Sequence, residues 1–206
     1  MNRNNDKSFL KFIIVWIGQL VSSIGGGLTA FTLGVYAYEK TQTATSFALV
    51  TLFSFLPSIL LRPIGGVLAD RFDRRVMMII GDIGSATGVA FIWFLLKYQG
   101  NIELWQIYLG VSISSIFLAL QSPAYKASIT DLLTEEQFAK ASGLVQLASS
   151  AQYLVSPIVA GFLLSMTSIE NILILDILTF IFAALAVVAI KKEASKSHSD
   201  SAHLSF

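Results

Sequence analysis

Cysteine is absent from all 206 residues. That excludes disulfides, thiolate metal sites and thiol nucleophiles. Histidine is nearly absent too: His198 and His203 both lie in a polar tail, too sparse a donor set for a metal site, so no metal is expected. Charge is scarce. Charged residues make up 13% of the chain, where a soluble domain carries about 25%. The net charge is +1, so no basic field exists to attract nucleic acid, and no nucleic-acid partner is expected. No Ser/His or Ser/Lys pair, His/Glu metal pattern or paired intramembrane aspartates at catalytic spacing appears, so an enzyme is not expected. No filter-like loop or ring of charge suggests a channel.

Apolar sequence fills the space. Hydrophobic residues make up 54% of the chain and mean hydropathy is +0.70. A soluble core could not hide this much apolar surface, so lipid is the expected solvent. A helix needs roughly 20 apolar residues to cross a bilayer. Six segments qualify: 12–38, 44–69, 76–96, 104–125, 141–169 and 171–190. Within lipid the backbone must satisfy its own hydrogen bonds, which such runs do as helices. The expectation is an all-α, polytopic membrane protein of six transmembrane helices. A cleaved signal peptide is not expected, because the first uncharged stretch is too long and no small-residue cleavage site leads into a soluble domain.

Lysine and arginine set the orientation. Arg3, Lys7, Lys11, Arg71, Arg74, Arg75, Lys126, Lys140, Lys191, Lys192 and Lys196 fall on one side of the threading; only Lys40 and Lys97 fall on the other. Both termini are therefore expected in the cytoplasm of a cell-membrane protein. Residues 1–11 form a cytoplasmic amino terminus, 12–190 the bundle, and 191–206 a serine-rich tail expected to be disordered.

An internal repeat accompanies the spans. Pro63-Ile64 recurs as Pro157-Ile158, and Asp82-Ile83 as Asp176-Ile177, both at an offset of 94 residues. The copies fall in helices two and five, and three and six. Three spans separate them, so they cross the membrane in opposite directions. This is the pattern of an inverted 3+3 repeat, a transporter architecture.

Three charges lie inside spans, where each costs at least about 2.5–3.5 kcal/mol on insertion scales. Arg62 lies eight residues before Asp70, and Asp82 seven after Arg75. On antiparallel helices both sit about 10–12 Å inside the membrane edge. They are candidates to neutralise one another. The other reading has Arg62 snorkelling to the headgroups while Asp82 caps backbone or faces water. Asp176 is either a carrier of a coupling proton or a hydrogen-bond partner for a neighbouring helix.

The densest charge is in "PIGGVLADRFDRR", where five of the six residues from Asp70 to Arg75 are charged. Gly66, Asp70, Arg71, Arg74 and Arg75 in this spacing resemble the signature between helices two and three of the major facilitator superfamily. Phe72-Asp73 replaces the usual pair there, and an aspartate at the position of Asp73 is familiar among its drug and macrolide exporters. "SPAYKASITDLLTEEQFAKASGLVQ", 122–146, resembles the helix four to five loop of that branch. "SPIVAG", 156–161, is similar to its antiporter motif, which maps onto Ser156, Pro157 and Gly161, with serine where a glycine is usual.

The resemblance runs from about Phe12 to Ile190 and covers one of the two six-helix bundles of a complete member. It implies one half of a major-facilitator fold: a fragment, a truncated product or a half that pairs with another chain. It also implies substrate/proton antiport, so a proton gradient in place of a cofactor, and Asp70 as a gate latch that pairs with a nearby arginine or meets a helix of the second bundle. The implied partners are the lipid bilayer, a small amphipathic substrate such as a macrolide, and a second six-helix half or another copy of the chain. The competing reading is a non-transporting half-size membrane partner.

Gly25, Gly26 and Gly27 in helix one permit close packing or a bend. Pro57, Pro63 and Pro157 are expected kink points. Gln19, Ser23, Thr29, Gln121 and Gln146 are polar positions within spans and candidates for a substrate path, with Phe31, Tyr36 and Tyr153 as stacking surfaces.

Overall fold

The computed structural model describes the backbone of residues 3–203 and the side chains of 8–131 and 133–190. Six helices follow one another: α1 (Arg3–Thr41), α2 (Ala44–Arg71), α3 (Arg74–Gln99), α4 (Leu104–Leu132), α5 (Glu135–Met166) and α6 (Ile169–His203). All six are long and apolar enough to cross a membrane. The turns are short, so neighbours in sequence run antiparallel. The α2–α3 turn and the α4–α5 turn share one end of the bundle, called here the arginine end. The α1–α2, α3–α4 and α5–α6 connections form the opposite end.

The helices are longer than their apolar runs. α1 begins at Arg3 rather than near residue 12, because the polar lead-in contains neither glycine nor proline to stop it. The break between α5 and α6 falls at Thr167–Ser168, not at residue 170. The tail expected to be disordered continues α6 to His203, since no glycine or proline follows Gly161. Residues 204–206 lie outside the described residues. The helices also run continuously through Pro57, Pro63, Pro123 and Pro157.

Packing follows the repeat. α1 packs against α5 and α6, α4 packs against α2 and α3, α3 packs on α6, and α1 touches α4. Exchanging one with four, two with five and three with six leaves that pattern unchanged, as an inverted repeat requires. The α1–α2 contact is the exception, having no comparably close α4–α5 counterpart.

Backbones approach most closely where glycine removes a side chain. A Cβ at Gly65 of α2 would sit on the Ala119 carbonyl oxygen of α4, and one at Gly88 of α3 would meet the Gly110 carbonyl. Ala119 lies four residues before Pro123, which has no N–H to offer it. Its carbonyl therefore faces the glycine of a neighbouring helix.

Two apolar clusters close the ends. Phe12, Ala69, Met78, Ala124 and Ile190 belong to the arginine-end cluster. Leu33, Val50, Ile92, Ile107 and Leu173 belong to the opposite one. Between them lies a polar layer that includes the buried Gln19, Asp82, Ser85, Ser115 and Gln121.

Candidate functional site

The α2–α3 turn is held by its own charges. Asp73 accepts hydrogen bonds from the backbone N–H groups of Arg75 (2.8 Å) and Val76 (3.3 Å). It thereby caps α3, satisfying donors that a helix start leaves free. Arg74 donates to the Ala127 carbonyl (2.7 Å) and pairs with Asp131. The start of α3 is thus tied to the end of α4. Asp70 and Arg71 are exposed, Arg75 is half-buried, and none of the three makes an ion pair among the described residues. Asp131, which takes one of the motif's arginines, was not singled out from sequence; its place in the α4 register, seven residues before Phe138 in a loop-like stretch, gave no distinctive signal.

The glycine of the motif is not the tight one. A Cβ at Gly66 would meet nothing within 4 Å. Its neighbour Gly65 supplies the close approach to α4.

Arg62 and Asp82 do not meet. Asp82 is fully buried and accepts from Gln19 Nε2 (3.1 Å). Gln19 Oε1 in turn accepts from Gln121 Nε2. One chain of bonds thus links α3, α1 and α4 through three residues met separately in the sequence. Arg62 is exposed and makes no ion pair among the described residues. Of the two readings the pairing fails, because α4 lies against both α2 and α3, which themselves barely touch.

Asp176 is also fully buried, and accepts from Thr179 Oγ1 (3.3 Å). A Cβ at Gly25 would run into both side chains. This glycine makes room for the carboxyl group on the facing helix. Ser156 is buried and donates to the Ile24 carbonyl (3.0 Å), and a Cβ at Gly27 would strike its hydroxyl. The antiporter-like stretch therefore docks on the triple glycine of α1 through Ser156. Pro157 is half-buried, and Gly161 is exposed with nothing within 4 Å of a Cβ.

A cavity of about 470 Å³ opens mainly among α1, α2, α4 and α5, with Val89 of α3 and Asp176 and Phe180 of α6 also in its wall. That is the size of a small-molecule site, about 300–1,000 Å³. Gln19, Ser23, Thr29, Arg62, Gln121, Gln152 and Asp176 line it, with Phe55, Ile59 and Tyr153 as apolar wall. Phe55 and Tyr153 bring α2 and α5 together, ring centroids 5.9 Å apart. Gln146 is exposed and outside the cavity lining. The inward stripe of α5 is Val145, Ala148, Ser149 and Gln152, and Gln146 stands about a quarter-turn away at 3.6 residues per turn. Phe31 packs edge-on against Phe47, and Tyr36 bonds Asn101 at the opposite end, so neither reaches the cavity.

Six apolar helices in two inverted threes, a charged turn between the second and third, and a polar cavity between the first, second, fourth and fifth describe a transporter bundle. The sequence profile described as Major Facilitator Superfamily matches residues 15–204. The chain belongs to that superfamily. It is similar to macrolide efflux protein A of Streptococcus pyogenes, 33% identical over 182 residues, covering 88% of this chain and 45% of that protein. Macrolide efflux protein A of Enterococcus faecalis is 32% identical over 142 residues, 69% of this chain and 44% of the relative. A staphyloferrin A transporter of Staphylococcus aureus is 24% identical over 194 residues, 94% of this chain and 46% of the relative. The chain spans about half the length of these major-facilitator relatives. It is a multi-pass membrane protein of the superfamily.

Proposed function

We propose that this bundle is one half of a proton-driven exporter of amphipathic drugs such as macrolides, with the arginine end and both termini in the cytoplasm. The observation that carries the reading is the cavity: drug-sized, within the membrane-spanning bundle, with amides and hydroxyls on part of its wall and Phe55, Ile59 and Tyr153 on the rest. Such a surface suits a solute with one polar and one apolar face. The match to macrolide efflux protein A supports the substrate class. A second six-helix bundle, or another copy of this chain, would complete the path. Asp70 would latch onto it; its exposure and its lack of an ion pair among the described residues support that role. Asp82 and Asp176 are the carboxyl groups within the spans that a coupling proton would use.

Accumulation of a radiolabelled macrolide tests this. Cells lacking their own macrolide exporters would express the chain alone, or together with the second six-helix half of a macrolide efflux protein. The expected result is lower accumulation with the pair, restored by a protonophore. Equal accumulation in every strain contradicts the reading. A reduction that the protonophore leaves intact contradicts the proton coupling.

A further inference from the structure

Arg62 and Lys126 line the same cavity from α2 and α4, and both are exposed. Neither makes an ion pair with a carboxylate among the described residues. The ion pairs among the described residues are Lys40–Glu103 and Arg74–Asp131. The acid in the cavity wall is Asp176, which is fully buried beside Gly25 and bonded by Thr179. Asp82 is held by Gln19 and does not line the cavity.

Helix register sets the two cations on neighbouring walls of the cavity. The Ser58 N–H donates to Ser115 Oγ (3.0 Å), and Gly65 abuts Ala119 and Pro123. These contacts set Arg62 level with Ala119 on a parallel helix. Lys126 is seven residues further along α4, about 10 Å nearer the arginine end at 1.5 Å per residue. On parallel helices both side chains lean the same way, so the offset remains, and an anion held by both would lie between them within reach of two long side chains. The arginine-end half of the cavity therefore offers a guanidinium and an ammonium, and no acid among the described residues pairs with either.

We infer that this half of the cavity is an oxyanion site, taking the carboxylate, phosphate or sulfate of an amphiphile whose apolar part lies along Phe55, Ile59 and Tyr153. Arginine presents a fork of donors matched to such a group, and lysine adds a point charge. The inference rests on the reading that the cavity receives an amphiphile, and it adds an anionic group to the substrates the bundle accepts. The oxyanion could come from a solute or from a lipid headgroup.

The test is binding to the purified chain in phosphatidylcholine nanodiscs. The probes are 11-(dansylamino)undecanoate and its neutral primary amide, followed by dansyl fluorescence. The wild-type chain is expected to bind the carboxylate about tenfold more tightly than the amide. The Arg62→Gln/Lys126→Gln variant should lose that preference, the carboxylate binding no more tightly than the amide, and Arg62→Lys/Lys126→Arg should keep it. An unchanged elution profile and an unchanged melting temperature report that the variants are folded. Equal binding of both probes by wild type, or a preference that survives the glutamine substitutions, overturns the inference while leaving the cavity reading intact. Binding of neither probe overturns both. Repeating the wild-type measurement in phosphatidylglycerol discs identifies the source: a lipid headgroup occupant competes the carboxylate away, whereas a solute site keeps its preference.

Discussion

Gly65→Val is expected to cost the fold on the order of 3 kcal/mol, the upper range for overpacking a tight contact. The atom in the way is backbone. A Cβ at Gly65 would lie on the Ala119 carbonyl oxygen, and Pro123 stands just behind it. No rotamer change relieves that clash, so α2 must move off α4. Those two helices form one of the main contacts of the bundle, and between membrane helices close backbone approach is itself a source of stability. Gly66→Val is the control, since a Cβ there meets nothing within 4 Å. Thermal unfolding in detergent, followed by tryptophan fluorescence, checks both. The Gly65 variant should melt far lower or fail to elute as a single species, with the Gly66 variant near wild type. Equal effects would mean that α2 does not lie on α4 as described.

Gln19→Leu is expected to be nearly as damaging, and its damage should be reversed by a second substitution. Neutral hydrogen bonds between membrane helices average about 0.6 kcal/mol. The larger effect comes from Asp82, which is fully buried and would lose its bond from Gln19. A buried polar group stripped of its hydrogen-bond partner costs about 1–3 kcal/mol. Gln121 would lose its acceptor at the same time. Gln19→Leu/Asp82→Leu removes the stranded carboxyl and should recover most of the loss. Asp82→Asn keeps a polar group facing Gln19, whose amide can turn to suit it, and should fall within about 1 kcal/mol of wild type. The check is a double-mutant cycle on apparent melting temperature. Additive losses at residues 19 and 82 would show that the two side chains do not depend on each other.

The architecture was legible in the sequence because a bilayer imposes a length on each helix. The inverted repeat was legible from two dipeptides, Pro63-Ile64 and Asp82-Ile83, because they recur at corresponding heights. Side-chain partners were not. Spacing along the chain placed Arg62 and Asp82 at matching depths but says nothing of which helices stand side by side, and α4 intervenes. Gln19, Asp82 and Gln121 were each visible as polar residues in apolar helices, yet only the fold shows that one line of hydrogen bonds joins them. The motif drew attention to Gly66, whereas the tight contact belongs to Gly65, a distinction of one position and about 100° around the helix. Gln146 failed as a cavity residue for the same reason: polarity within a span does not say which way a side chain faces. Asp73, noted as a departure from the usual motif, proved to have a local role as the cap of α3.

The most direct measurement of the account exploits the lack of cysteine. A single thiol can be introduced at either end without background. Phe72→Cys places it in the exposed α2–α3 turn, and Gln99→Cys at the exposed end of α3. Intact cells are treated with a membrane-impermeant maleimide, before and after permeabilisation. Six membrane crossings with the arginine end inside predict that Cys-free wild type stays unlabelled, that the Gln99→Cys chain reacts in intact cells, and that the Phe72→Cys chain reacts only once the membrane is opened. Labelling of the Phe72→Cys chain in intact cells as readily as the Gln99→Cys chain would contradict it.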